Sequence, residues 1–140
     1  MTAAAKRPFV DSNVWVYALM PASDFPEKTA IAAALVQQQR VCISLQVINE
    51  VCTTLLRRKR ILELDVPNVI GGLYRCCDVV IPTRATIQDA SRLRGLRSLS
   101  YYDGIIVASA LEAGAAILYS EDMQDGVEID SKLKIVNPFK

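Results

Sequence analysis

The 140-residue sequence predicts an α/β fold: a single domain, residues 1–140, built as a three-layer α/β/α sandwich around a mainly parallel sheet of about five strands. Three observations support this prediction. Short apolar runs, typical of buried strands, alternate with longer segments whose apolar residues recur at helical spacing. Polar residues that can cap a helix follow several of these runs. No repeat or linker interrupts the alternation, which favours parallel strands joined by right-handed crossovers.

The first half of the chain opens with a short buried strand. In residues 8–11, two apolar residues lead into Asp11, and Ser12 is placed to cap a helix that runs to Met20. The predicted elements that follow are a helix over 27–39, a strand over 41–43 and a helix that begins at 44 and ends in the basic run 57–60.

The second half continues the same alternation. Asp65 and Pro67 are typical of a helix start, because proline is favoured in the first turn. The remaining predicted elements are a strand over 79–81, helices over 83–97 and 100–113, a strand over 115–119, a polar loop over 120–126 and a strand over 133–136.

The composition excludes several kinds of chemistry and of location. The chain has no histidine, so any activity must depend on carboxylates, hydroxyls, amines or a metal. Its four cysteines show no CxxC spacing, which argues against a zinc site, and we expect them to be reduced and mostly buried. The N-terminus has no signal-peptide core, and apolar runs are too short to span a membrane. We therefore expect a cytoplasmic protein with no membrane contact.

Four acidic residues fall at comparable places in the predicted fold. Asp11 ends the first strand, and Asp122 follows the strand over 115–119. Glu50 and Asp103 lie in the early turns of two helices. Because strand ends and the starts of the following helices share one rim of a parallel sheet, the sequence predicts that these carboxylates are neighbours.

Each acid also has a purely structural explanation. Asp11 could be a turn or cap residue, and Asp103 could complete a capping box with Ser100. An unpaired Glu50 near the inward face of an apolar helix would be costly, so we expect it to have a metal or an arginine as its partner. The loop around Asp122 could be a solvated turn. The predicted position of all four acids at one rim of the sheet is the reason to expect that they act together.

Converging carboxylates raise one another's pKa and need a cation beside them. Oxygen ligands without histidine or thiolate suit the hard ions Mg²⁺ and Mn²⁺. Carboxylate sites with one or two such ions are a standard arrangement for phosphodiester hydrolysis, in which the metal activates a water and stabilises the leaving oxygen. The acids therefore indicate metal-dependent hydrolysis.

The segments that contain these acids resemble the motifs of PIN-domain proteins, and especially of the VapC-type toxins of bacterial toxin–antitoxin pairs. The resemblance covers almost the whole chain in the right order. The matching segments are FVDSN at 9–13, INEV at 48–51, YDGIIVASA at 102–110, LYSED at 118–122 and the ending VNPF at 136–139.

The resemblance implies a PIN-like fold and an Mg²⁺- or Mn²⁺-dependent endoribonuclease, the toxin of a type II toxin–antitoxin pair. It also implies a homodimer and a cognate antitoxin that blocks the site. The catalytic, metal-binding residues that it implies are Asp11, Glu50, Asp103 and Asp122. The supporting residues are Ser12, Asn13, Ser120 and Asp125, of which Asp125 could replace Asp122 in the quartet, and Glu121 is a further candidate ligand.

An RNA substrate would need a basic surface, and the run 57–60 with Arg92, Arg94 and Arg97 holds seven of the sixteen basic residues. The alternatives are a solvated helix end and an arginine aimed at a partner's carboxylates. The residues predicted to bind RNA are Arg57, Arg58, Arg60 and Arg97.

Two other features leave alternatives open. Tyr101 and Tyr102, beside Asp103, could stack on a base or be packing residues. A phosphatase that uses Asp11 as its nucleophile usually needs a second acid two residues on, where this chain has Asn13. A non-catalytic PIN-like module that binds RNA or protein is disfavoured by the complete acid set. The metal-dependent ribonuclease is therefore the preferred interpretation.

Overall fold

A computed structural model describes residues 6–140, which form a six-stranded sheet in the order β3-β2-β1-β4-β6-β5 with six helices. The strands are β1 (Phe9–Val10), β2 (Val41–Ser44), β3 (Cys77–Val80), β4 (Ile117–Tyr119), β5 (Glu128–Ile129) and β6 (Leu133–Val136). The helices are α1 (Ser12–Leu19), α2 (Pro26–Gln38), α3 (Leu45–Arg57), α4 (Val66–Cys76), α5 (Arg84–Leu96) and α6 (Tyr101–Glu112), with a 3-10 turn, Glu63–Asp65, before α4.

The strand order determines on which face of the sheet each helix lies. From β1 the chain moves outward to β2 and β3, and it then crosses back to β4 on the other side of β1. Right-handed crossovers that reverse direction place the first four helices on one face of the sheet and α5 and α6 on the other. The packing agrees, since α1 contacts α2 and α3, α3 contacts α4, and α5 contacts α6.

All strand pairs are parallel except β5–β6, which confirms the predicted fold class. The sheet has six strands where the sequence predicts about five, because β5 is too short to show a pattern. Asp130 and Ser131, with φ of 52° and 55°, provide the tight turn that folds β5 back onto β6.

The helix starts follow the predicted chemistry with one correction. Ser44 and Ser100 are the N-caps of α3 and α6, and their side-chain oxygens accept hydrogen bonds from main-chain amides. The sequence predicts Ser12 as the cap of α1, but Asp11 occupies that position and its carboxylate accepts from the Ser12 amide. Aspartate in an extended conformation is as good a cap as serine, so the helix begins one residue earlier.

The core lies on both faces of the two central strands, where Phe9, Val10 and Leu118 are fully buried. Three of the four cysteines are buried and Cys76 is exposed, in line with the expectation that most are core residues. Within residues 6–140, no helix is both long enough and apolar enough to cross a lipid bilayer.

Candidate active site

The candidate site lies where the sheet reverses its strand order. β1 and β4 are neighbours, but the chain leaves them toward opposite edges of the sheet. At such a switch point the loops beyond the carboxyl ends of the strands diverge and leave a crevice. Asp11 directly follows β1 and Ser120 directly follows β4, so the fold itself brings both residues to this crevice.

Asp11 is the most buried of the four acids, with 4% of its surface exposed. Its Oδ1 accepts from the Ser12 amide at 2.7 Å, and its Oδ2 accepts from the Ser120 hydroxyl at 2.8 Å. Burial raises its pKa from 3.8 to about 6. The two hydrogen bonds oppose that rise, and the charges of Glu50 and Asp103 add to it. Asp11 is thus a structural cap and a member of an acidic cluster at once.

Glu50 accepts hydrogen bonds from two neutral side chains, the predicted supporting residue Ser12 and the unpredicted Gln46. The Ser12 hydroxyl donates to its Oε2 at 2.7 Å, and the Gln46 amide donates to its Oε1 at 2.8 Å. Of the two expected partners, an arginine is not paired with Glu50 within residues 6–140, and a metal at Glu50 stays a prediction. Gln46 also lies 3.3 Å from the main-chain oxygen of Tyr102, so it links α3 to the start of α6.

Asp103 lies in the first turn of α6 and is half-buried. Burial raises its pKa, contact with Ser100 opposes the rise, and the charges of Asp122 and Glu50 add to it. The Ser100 hydroxyl accepts from the Asp103 amide at 3.1 Å, which fills the N-cap. Ser100 therefore caps the helix with its own side chain, and the structure records no return bond from the Ser100 amide to the Asp103 carboxylate within residues 6–140.

Asn13 ties the loop after β4 to the cluster. Its Nδ2 lies 3.1 Å from Asp122 Oδ2 and 3.3 Å from both Ser120 Oγ and Asp11 Oδ2. Its Oδ1 accepts from the Glu121 amide at 3.0 Å. The predicted supporting residues Ser12, Asn13 and Ser120 thus all contact one of the four acids.

The other two acids of that loop are held elsewhere. The Glu121 carboxylate pairs with Lys28 Nζ at 2.5 Å and accepts from the Tyr17 hydroxyl at 3.0 Å. Asp125 Oδ1 accepts from the Asn137 amide at 2.8 Å, which fastens the loop to the end of β6. Asp122 is therefore the loop carboxylate that faces the remaining acids.

The four acids have no ion-pair partner in the described part of the chain. Within residues 6–140, no lysine or arginine forms an ion pair with Asp11, Glu50, Asp103 or Asp122. In the same range, no three acidic or cysteine side chains are grouped closely enough to hold a metal ion as they stand. The chemistry of the donor set nevertheless fits Mg²⁺ or Mn²⁺, because it consists of oxygen atoms alone and its charges are unbalanced.

Three of the four predicted RNA-binding arginines lie beside the acids. Arg57 lines a cleft of about 540 Å³ with Glu50 and Asp122, and Arg58 lines the adjoining cleft with Asp122. Arg97 lines a third cleft with Asp103 and Asp122. Arg60 is directed away, since its Nε pairs with Asp24 at 2.9 Å.

Sequence reasoning does not name Gln46, Tyr17 or Lys28. Gln46 lies four residues before Glu50, so helical spacing places the two side chains side by side and provides a signal for it. Tyr17 and Lys28 reach Glu121 from two helices that are distant in sequence, and no local pattern indicates that contact.

Comparisons with known proteins identify the family and the fold. The model of the PIN domain family matches residues 9–127. One solved structure with a similar fold is the crystal structure of Mycobacterium tuberculosis VapC20, described as a sarcin–ricin-loop-cleaving toxin. Its sequence is 20% identical to this chain, and the TM-score is 0.66 over 82% of this chain and 91% of that one. No curated protein sequence gives a match.

Two further solved structures share the fold. A toxin–antitoxin complex from Klebsiella pneumoniae is 17% identical, with a TM-score of 0.68 over 94% of this chain and 97% of that one. FitAB bound to a DNA fragment is 12% identical, with a TM-score of 0.65 over 95% and 96%. Because the family model spans most of the chain and all four acids, the suggested resemblance is confirmed: this chain belongs to the PIN domain family.

Proposed function

We propose that this protein is a divalent-metal-dependent endoribonuclease whose active site is Asp11, Glu50, Asp103 and Asp122. One observation supports the proposal above all others. Four carboxylates from four separate segments lie near enough that their charges raise the pKa of Asp11 and Asp103, with no cationic side chain paired to any of them within residues 6–140. A fold that gathers unbalanced negative charge in this way needs a cation to complete it.

The chain's own residues would orient the site. Asp11 is fixed by Ser12 and Ser120, and Glu50 is fixed by the Ser12 hydroxyl and by Gln46. An Mg²⁺ or Mn²⁺ ion, when bound, supplies Lewis acidity toward the phosphate and its leaving oxygen. The Asn13 amide contacts both Asp11 and Asp122, so it holds the loop carboxylate near the end of β1.

RNA would approach along the clefts that contain arginine. Arg57, Arg58 and Arg97 line clefts shared with the acids, so they can neutralise phosphates on either side of the cleaved bond. Arg60, the fourth arginine predicted to bind RNA, lines none of these three clefts and is paired with Asp24, so we propose a smaller contribution from it.

The proposed setting is a toxin–antitoxin pair in the cytoplasm. The relatives of similar fold are a toxin and a toxin–antitoxin complex, which supports an antitoxin as partner. Large apolar side chains are exposed on the surface, and they provide area for an antitoxin and for a second copy in a homodimer. They include Leu19, Leu62 and Leu64. We further propose that residues 1–140 form one domain.

The experiment that tests the function uses total bacterial RNA, because one cleavage site in one RNA would escape a generic assay. The protein is incubated with this RNA and Mn²⁺, and new 5′ ends are mapped by sequencing. We expect discrete new ends that EDTA abolishes and that Asp103→Asn does not produce. Asp125→Asn is the matched control, because its carboxylate binds Asn137 instead of facing the cluster, and it should still cleave.

A non-catalytic module that binds RNA or protein is the second candidate. It is favoured by the fact that, within residues 6–140, no three acids are grouped tightly enough to hold an ion as they stand. New ends that persist in Asp103→Asn, or an absence of new ends for the wild type, would support this candidate.

A further inference from the structure

We infer that Tyr102 is a nucleobase-stacking residue, so that the acidic cleft binds an unpaired nucleotide of single-stranded RNA next to the phosphate that is cleaved. The inference depends on the proposed function in one respect, that nucleic acid is the ligand of this cleft. It does not require that the protein cleave what it binds.

Tyr102 is not part of the hydrophobic core. The ring belongs to the first turn of α6, immediately before Asp103, yet 63% of its surface is exposed. It lines the 540 Å³ cleft together with Glu50 and Asp122. Other large apolar side chains are equally exposed, and what distinguishes Tyr102 is its position in the cleft beside two carboxylates, where a bound ligand can cover its ring.

The neighbours of Tyr102 hold its ring in place. Tyr101 contacts it edge to face, with ring centroids 5.4 Å apart and planes at 87°. Arg94 lies 5.3 Å from the Tyr101 ring centroid, and its aliphatic chain fills the space above Gly104. A Cβ atom at position 104 would lie 2.9 Å from Arg94 Cγ, so any residue larger than glycine there would clash with the Arg94 side chain. An edge-to-face contact leaves at least one face of Tyr102 free, and a pre-positioned ring loses little entropy when a base stacks on it.

Charge along the cleft indicates nucleic acid as the occupant. Gln46 contacts the main-chain oxygen of Tyr102 at one end of α3, and Arg57 lies eleven residues further along the same helix, about 16 Å away. Glu50 is between them. With the proposed cation bound at the carboxylates, the order aromatic ring, cation, arginine suits a base, its adjacent phosphate and a further phosphate of an extended strand.

The base on Tyr102 must be unpaired. A base inside a duplex has its faces covered by its neighbours, so it cannot stack on a protein side chain unless it leaves the helix. The geometry therefore favours single-stranded segments, loops or bulges over continuous double-stranded RNA.

The test measures binding separately from cleavage. A fluorescent, random-sequence, single-stranded RNA is titrated by anisotropy in Ca²⁺, a hard ion that oxygen ligands bind, and each sample is checked on a gel for cleavage. Tyr102→Ala should weaken binding about tenfold or more, whereas Tyr102→Phe should stay within about twofold of wild type. Tyr74→Ala is the matched control, because Tyr74 is 48% exposed but lies on α4, away from the acidic cleft, and it should leave binding unchanged.

Several outcomes would overturn the inference. One is equal binding by Tyr102→Ala and wild type, and another is no binding by the wild type. A third is an altered molar mass of Tyr102→Ala in light scattering, which would assign the ring to a protein interface instead. If the wild type cleaves total RNA while Tyr102→Ala binds normally, only the inference fails. If the wild type binds through Tyr102 but never cleaves, only the proposed nuclease activity fails.

Discussion

Asp11 shows how one side chain can serve the fold and a site together. Its carboxylate caps α1 through the Ser12 amide, and its second oxygen receives the Ser120 hydroxyl from the neighbouring strand. These bonds stabilise the charged form, while burial and the nearby acids oppose it more strongly. In the metal-free protein, these opposing effects leave the charged form of Asp11 less stable than it is in water.

The first prediction concerns the pH dependence of stability in EDTA. Because folding raises the pKa of Asp11 from 3.8 to about 6, its stabilising contribution is full below pH 3.8 and is lost as pH rises through 6. A shift of this size corresponds to about 3 kcal/mol. Urea unfolding from pH 4 to 7 should therefore show wild type losing free energy of unfolding relative to Asp11→Asn. Parallel curves for the two proteins would contradict it.

The second prediction concerns metal binding by single carboxylates. In a calorimetric titration with Mn²⁺, wild type should bind, Asp11→Asn should lose most of the affinity, and Asp125→Asn should match wild type. The reason is that Asp11 is coupled to Glu50 and Asp103, while Asp125 is bonded to Asn137. Equal affinities for the two variants would mean that the ion, if any, binds elsewhere.

The four candidate acids and several of their partners can be derived at the residue scale, but the contacts of Glu121 cannot. Strand ends and helix starts place Asp11, Glu50, Asp103 and Asp122 on one rim from sequence alone. The clamping of Glu121 by Tyr17 and Lys28 depends on how α1 and α2 pack together, which no local pattern encodes. The catalytic role of each acid stays a prediction until the substitutions above are made.

Helix α3 joins the core to the clefts through its two faces. Val47, Val51 and Leu55 are fully buried on one side. On the other side, Gln46, Glu50 and Arg57 follow one another at spacings of about one or two turns, so a single helix orients an acid and supplies a cation.

The third prediction compares Arg57, the last residue of α3, with Arg60, which lies three residues beyond it. Arg57→Gln should weaken RNA binding and lower the slope of log affinity against log salt by about one, as expected for a lost phosphate contact. Arg60→Gln should have a smaller effect on both, because Arg60 is paired with Asp24. Binding isotherms in Ca²⁺ at several salt concentrations measure the slopes. A larger effect for Arg60 would place the RNA on the far side of α3.

The element boundaries were largely accessible to sequence reasoning because their signals are local. Ser44 and Ser100 cap their helices as expected, and each predicted strand has a counterpart in the sheet. Strand β5 escapes prediction because two residues cannot show alternation, and its pairing depends on the left-handed turn at Asp130 and Ser131.

The strand order determines the site at the scale of the whole molecule. The order in which the strands are connected reverses between β1 and β4. The rim that carries the acids is therefore formed only when the whole sheet is assembled, and no single motif contains it. This is why the four short motifs, unremarkable one by one, predict a site when taken together. The ion pair between Arg60 and Asp24 was not predictable from the sequence, because the position of Asp24 depends on the path of the loop before α2.

The fourth prediction concerns the stability of the whole domain. An ion that binds only the folded cluster should raise the free energy of unfolding by about 2.7 kcal/mol at a hundredfold excess over its dissociation constant. Chemical denaturation of wild type with and without Mn²⁺ measures this gain. Asp125→Asn should show the same gain and Asp11→Asn much less. Identical unfolding curves with and without saturating Mn²⁺ would show that the folded protein binds no ion.

The parallel pairing of β1 with β4 also has a consequence for how the protein is made. Phe9 lies opposite Leu118, so the ribosome must release most of the chain before these two strands can meet. A nascent or truncated chain that ends before this point has Asp11 without Ser120 and Asp122. The active site that we propose would therefore stay incomplete until synthesis of the chain is nearly finished.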